Sequence, residues 1–158
     1  MPTGWTSSTN ALAVSLGQAG CLKAASQRSG TKTSRYVTFA GAGGAPILSE
    51  SLAAFTPSTV KAHFEAGRAI LDKCKKVEIK AGTVTFTGPV AATSAPSVGE
   101  QSQAYTLATT GKGHSLTEYI VLARQGSVVF MTTYASVKAP VITDFLTVTA
   151  KAAAKLAS

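Results

Sequence analysis

The sequence predicts an α+β domain, an antiparallel sheet of about five to seven strands with two main helices packed on one face. Three observations predict it. Two stretches carry apolar residues at helical spacing. Several short runs alternate apolar and polar residues, as half-buried strands do. Turn residues separate those runs closely enough for hairpins. No repeat and no linker divides the 158 residues, a length that supports one core, so 1–158 is read as a single domain.

Residues 1–32 read as irregular, with the only tryptophan at Trp5 and a short apolar run at 11–16 ahead of Cys21-Leu22. Residues 35–40 alternate through Tyr36, Val37 and Phe39, and 47–55 offer a second strand. Gly41-Ala42-Gly43-Gly44 between them makes a hairpin the economical reading. Thr56-Pro57 then opens a helix, a hydroxyl for the cap and a proline suited to the first turn. Val60, Phe64, Gly67, Leu71 and Cys74 share its apolar face. Lys61, Glu65, Arg68 and Asp72 occupy the other, spaced for ion pairs one turn apart. Lys73, Lys75, Lys76 and Lys80 follow, where cations complement the negative end of a helix dipole.

Short β-type runs come next, at 77–79 and 83–86 around Ala81-Gly82, then at 104–109, 118–123 and 128–133. Arg124-Gln125-Gly126-Ser127 is a tight-turn sequence, and 89–99 reads as a long loop of small residues with two prolines. A second helix begins after Pro140. Its apolar face is Ile142, Phe145, Leu146, Thr149, Ala152, Ala153 and Leu156.

Composition narrows the function classes. Apolar residues at 45% and charged residues at 14% exclude a disordered chain. No run approaches the roughly 18 apolar residues of a membrane-spanning helix. A net charge of +8 either serves solubility alone or favours anionic partners. Cys21 and Cys74 lie 53 positions apart, and His63 and His114 are distant from each other, so no metal-ligand spacing occurs and no cofactor is expected. The two cysteines either pair or sit buried as small hydrophobes. Met1-Pro2-Thr3-Gly4-Trp5 has neither the charged nor the apolar region of a signal peptide, consistent with a cytosolic protein or a mature exported domain.

Catalytic strings fail on context. Gly113-His114-Ser115-Leu116-Thr117 resembles a nucleophile elbow, but that chemistry needs a histidine base later in the chain, and none follows His114. Lys112 is followed by Gly113 rather than the hydroxyl of a phosphate loop, and Gly41-Ala42-Gly43-Gly44 has Pro46 where a dinucleotide fingerprint needs glycine. The seven acids are scattered, with no pair placed for acid–base work. A non-enzymatic role is expected. Tyr36, Tyr105, Tyr119 and Tyr134 fall on predicted strands near Arg35 and Arg124, yet no RNA-binding string accompanies them, so nucleic acid is disfavoured as a partner.

Several strings taken together resemble one family. Pro2-Thr3-Gly4-Trp5 looks like the opening of actinobacterial extracytoplasmic lipoprotein and sensor domains, and Cys21-Leu22 resembles their first cysteine segment. Arg68-Ala69-Ile70-Leu71-Asp72-Lys73-Cys74 resembles their helix closing on a second cysteine. Val98-Gly99-Glu100-Gln101-Ser102-Gln103-Ala104-Tyr105 and Arg124-Gln125-Gly126-Ser127-Val128-Val129 are similar to a strand start and a hairpin of the same domains. These are the domains related to the extracellular part of PknH-type receptor kinases.

The resemblance implies an antiparallel α+β fold of PsbP-like kind, a concave cleft, export, and a Cys21–Cys74 disulfide. Any membrane attachment would come through an anchor that this chain does not contain. On this basis the chain is read as an extracytoplasmic, cell-envelope binding or sensor-like domain for a small or polymeric ligand. Trp5, Tyr105, Tyr119 and Arg124 are the candidate ligand-binding residues, aromatic walls with one cation. The competing reading is a basic cytosolic nucleic-acid or anionic-polymer binder with free thiols.

Overall fold

The structure, a computed structural model, describes residues 4–8, 17–18, 21–26, 30–41, 46–81, 83–94, 97–137 and 142–157. Among them lie β1 (Thr6–Ser8), β2 (Gly17–Gln18), α1 (Cys21–Ser26), β3 (Thr33–Ala40), β4 (Ile47–Ala54), α2 (Val60–Asp72) and β5 (Val77–Ala81). There follow β6 (Val84–Gly88), β7 (Val90–Thr93), β8 (Gln101–Gly111), β9 (His114–Gln125), β10 (Val128–Ser136) and α3 (Ile142–Ala157). The pairings are all antiparallel. One sheet runs β1-β3-β4-β10-β9-β8-β6-β5-β2, with β7 also paired to β8.

The class is the predicted one, but among the described residues the sheet has ten strands where five to seven were expected. Two of the additional strands and α1 fall within residues 1–32, read from sequence as irregular. Strands of three and two residues are too short for alternation to be legible. Another was hidden in the expected 89–99 loop, where Val90–Thr93 pairs with 107–104 of β8. Pro89 has no N–H to give to a ladder, so it separates β6 from β7 along the same neighbour. At Gly88 a Cβ would collide with the Ala108 carbonyl, so a side chain would push the two backbones apart. The apolar run at 11–16 and most of the glycine-rich loop at 41–44 lie outside the described residues.

The helix expected at Thr56-Pro57 is present but begins three residues later, at Val60. Pro57 lies in a turn in which the Thr56 carbonyl accepts the amides of Thr59 and Val60. Its inward residues are those the spacing predicts, Val60, Phe64, Gly67 and Leu71, and Cys74 is buried just beyond its end. The lysine cluster is mostly not a helix-end feature. Lys73 caps the helix, whereas Lys75 and Lys76 follow it and no base occupies its last turn.

The β8–β9 hairpin closes tightly. Gly111 pairs with His114, and Lys112 (φ 46°) and Gly113 (φ 78°) both take left-handed backbone, as a two-residue type I′ turn requires. His114 and Ser115 therefore belong to a strand, not to a catalytic elbow.

The placement of the second helix differs from expectation. α2 packs with Leu107, Ile120, Leu122, Val129 and Met131 on one face of the sheet. α3 packs with Ala104, Val121, Ala123 and Phe130. These alternate with the first set along β8, β9 and β10, so the two helices cover opposite faces rather than one. The reason is local. Ile120, Val121, Leu122 and Ala123 are all at most 1% exposed, an apolar run with no wet side.

Cys21 and Cys74 form a disulfide with Cα atoms 5.9 Å apart, joining the first residue of α1 to the buried end of the α2 face. It closes a loop of 53 positions that includes β3, β4 and α2. In the chain-entropy model such a loop contributes about 4 kcal/mol. The Cys21→Ser, Cys74→Ser double variant should lose about that much unfolding free energy, measured by urea denaturation of the oxidised parent and the variant.

Candidate functional site

A partly open cavity of about 160 Å³ lies on the α3 face. Its floor is Ala104 of β8 with Tyr119, Ile120 and Val121 of β9. Phe145 and Leu146 of α3 form the opposite wall, and Thr93 and Ser94 at the end of β7 close one side. The elements set this geometry. Ala104 and Val121 are register partners, so a small side chain stands beside a branched one where the helix crosses. Phe145 is buried and tilts against Tyr134 at a centroid distance of 5.8 Å, which holds its ring against the sheet. Further along α3, the buried Thr149 hydroxyl donates to the Phe145 carbonyl at 2.9 Å and so does not compete for other groups.

The candidate residues from sequence do not converge here. Tyr119 lines the cavity. Trp5 is partly buried against the same cluster as α3. Tyr105 points to the other face, fully buried, and donates its hydroxyl to Asp72 Oδ1 at 2.8 Å, with the Arg68 carbonyl 3.3 Å away. Burial, that hydrogen bond and the Asp72 charge all push its acidity down, so it stays a neutral phenol.

Arg124 is also spoken for. Its guanidinium pairs with Glu100 and donates to Gln101 Oε1 at 2.8 Å. Gln101 reaches Glu65 of α2 at 3.4 Å, and Glu65 pairs with Arg68 at 3.0 Å. Glu100 also accepts the Gly126 amide at 3.0 Å. This network ties α2 to the β8–β9 end of the sheet. Sequence reading missed Ala104, Val121, Phe145 and Leu146 as lining residues because an apolar run and a helical stripe look the same whether they enclose space or fill it.

Two buried polar groups stand out. Glu118 of β9 is 1% exposed, on the α2 face, with Leu107 and Ala135 as its cross-strand neighbours. Its Oε2 has no hydrogen-bond partner among the described residues. Burial alone pushes its pKa up to about 7. Thr132 of β10, on the α3 face, is fully buried and its hydroxyl also lacks a partner among the described residues. Its register neighbour Glu50 is raised in pKa by burial, an effect that the positive charge of Lys155 offsets in part. Among the described residues no cluster of His, Cys, Asp and Glu could hold a metal ion, and no helix is long and apolar enough to cross a membrane.

The sheet with a helix on each face is an α+β fold of the kind seen in an extracellular domain of known structure. One solved structure it resembles is "Crystal structure of the extracellular domain of PknH from Mycobacterium tuberculosis". The TM-score is 0.62 at 13% sequence identity, covering 85% of this chain and 67% of that one. No protein-family model and no curated protein matches the sequence.

Both buried groups generate tests. An acid with a raised folded-state pKa favours folding fully only below its unfolded value of 4.5. That contribution declines as pH rises and is gone above about 7. Glu118→Gln should therefore flatten this pH dependence. Its stability relative to the parent should rise by about 3 kcal/mol between pH 4.5 and 8, measured by urea denaturation across pH. Thr132→Val replaces an unsatisfied hydroxyl by a methyl group. It should raise the unfolding free energy by about 1 kcal/mol at any pH.

Proposed function

We propose that this chain is a non-enzymatic, extracytoplasmic sensor-like domain that binds a small ligand between α3 and the sheet. Residues 1–158 act as one unit. The cavity carries the reading. It is the kind of concave, mostly apolar space with few polar groups that small-molecule sites use. Export is supported by the Cys21–Cys74 disulfide, a bond that persists in oxidising compartments, and by the likeness to an extracellular domain.

A non-enzymatic role is supported by what the acids do. Glu65 and Glu100 are held by arginines, Asp72 accepts the Tyr105 hydroxyl, and Glu118 is shut in the core. Among the candidates from sequence, Tyr119 is the one we assign to the ligand. Trp5 supports the surrounding cluster, and Tyr105 and Arg124 act as structural ties.

The alternative basic nucleic-acid binder needs exposed tyrosines on one surface and free thiols. Tyr105 is buried, Tyr119 and Tyr134 face α3, and no cysteine is free.

Toluene is a suitable first probe, because an apolar cavity of roughly 150 Å³ accepts benzene. Methyl NMR should show saturable shifts at Ala104, Val121 and Leu146. The Ala104→Leu variant, verified as folded by its unfolding transition, should lose them because the added carbons occupy the cavity. Absence of shifts in the parent protein with this and other small aromatic probes would refute the reading.

A further inference from the structure

The polar character of the cavity is as specific as its shape. Among the described residues none that lines it carries a charge: the lining is Thr93, Ser94, Ala104, Tyr119, Ile120, Val121, Phe145 and Leu146. A charged ligand would be desolvated there without a counter-charge, at a cost that an uncharged one avoids. Three of the lining residues, Thr93, Ser94 and Tyr119, nevertheless carry hydroxyls. Several hydroxyls elsewhere in the fold are engaged. Tyr105 binds Asp72, Tyr36 and Thr38 meet Ser49, and Thr109 donates to the Leu116 carbonyl. Around the cavity, Thr93 offers its carbonyl to Gln103, which leaves its hydroxyl out of that bond. Apolar walls together with hydroxyl-bearing residues define the two parts of a ligand.

We infer that the ligand of this cavity is a small, uncharged, largely apolar molecule carrying one hydroxyl or carbonyl group, of about the size of a substituted benzene ring. Its apolar part lies between Ala104, Val121, Phe145 and Leu146. Its oxygen meets a hydroxyl of Thr93, Ser94 or Tyr119. The inference rests on the cavity being the binding site and adds which chemistry enters it. Size follows from the volume, about 160 Å³, close to that of a cavity that accepts benzene. Such a hydroxyl favours a phenol or small alcohol over a hydrocarbon of the same shape, because a hydrogen bond formed there replaces one lost from water.

The experiment compares four probes of similar size: toluene, phenol, benzoate and benzylammonium. Binding is followed by NMR titration of the oxidised protein and of a Thr93→Val, Tyr119→Phe variant. Both substitutions keep shape at partly buried positions, and the thermal unfolding transition checks the fold. Phenol should bind the parent about fivefold more tightly than toluene, the worth of one net hydrogen bond. The variant should lose that preference, the ratio of its phenol and toluene affinities falling to about one. Both ions should bind at least about tenfold more weakly than phenol.

Toluene binding with no phenol preference, with a preference that survives in the variant, or with an ion as tight as phenol overturns the assigned ligand class and leaves the cavity as a site. Failure of all four probes overturns both.

Discussion

The two central strands, β9 and β10, are buried on both faces, and the rest of the architecture answers that constraint. Ile120 and Leu122 point one way, Val121 and Ala123 the other, and none of them reaches solvent. An antiparallel sheet usually keeps one face wet, which a single layer of helices satisfies. Here each face must be covered, so α2 takes one and α3 the other. Polar positions of the central strands then have nowhere to go. Glu118 and Thr132 are enclosed on opposite faces because strict alternation places every residue of such a strand under one helix-bearing layer or the other.

The two layers are finished differently. On the α2 face the disulfide, the Tyr105–Asp72 hydrogen bond and the chain from Arg68 through Glu65 and Gln101 to Arg124 fasten the helix along its length. α3 is held chiefly by Phe145, Thr149, Ala153 and their apolar neighbours, and Ala104 leaves space beneath its first turns. A helix resting on small and branched residues tolerates a vacancy that one tied by ionic groups at fixed distances does not. The cavity therefore falls on the α3 side.

Much of this fold was legible in the sequence, and the failures have physical causes. The amphipathic stripe from Val60 to Cys74 was read correctly because each inward residue recurs at helical spacing and charges fill the other face. The β3–β4 and β5–β6 hairpins were readable from alternation bounded by small residues. The run Ile120-Val121-Leu122-Ala123 held the sign that the sheet is covered twice, since a half-exposed strand would interrupt it with polar residues. Treating it as an ordinary strand put both helices on one side. The site was less legible. Tyr105 and Arg124 look like ligand groups in one dimension. Their partners, Asp72 and Glu100, lie 33 and 24 positions away in the chain and become visible only once the sheet is folded.

The outer borders of the sheet have a bearing on how the molecule behaves in crowded surroundings. β1 offers three residues and β2 two, and the uncovered stretch of β3 beside β1 carries the exposed Arg35. Strands this short, or bearing a cation at the rim, give an incoming chain few amides to zip onto and make it approach a positive charge. For a protein with so much Thr, Ala and Val in extended conformation, such borders among the described residues disfavour side-by-side growth into fibrils.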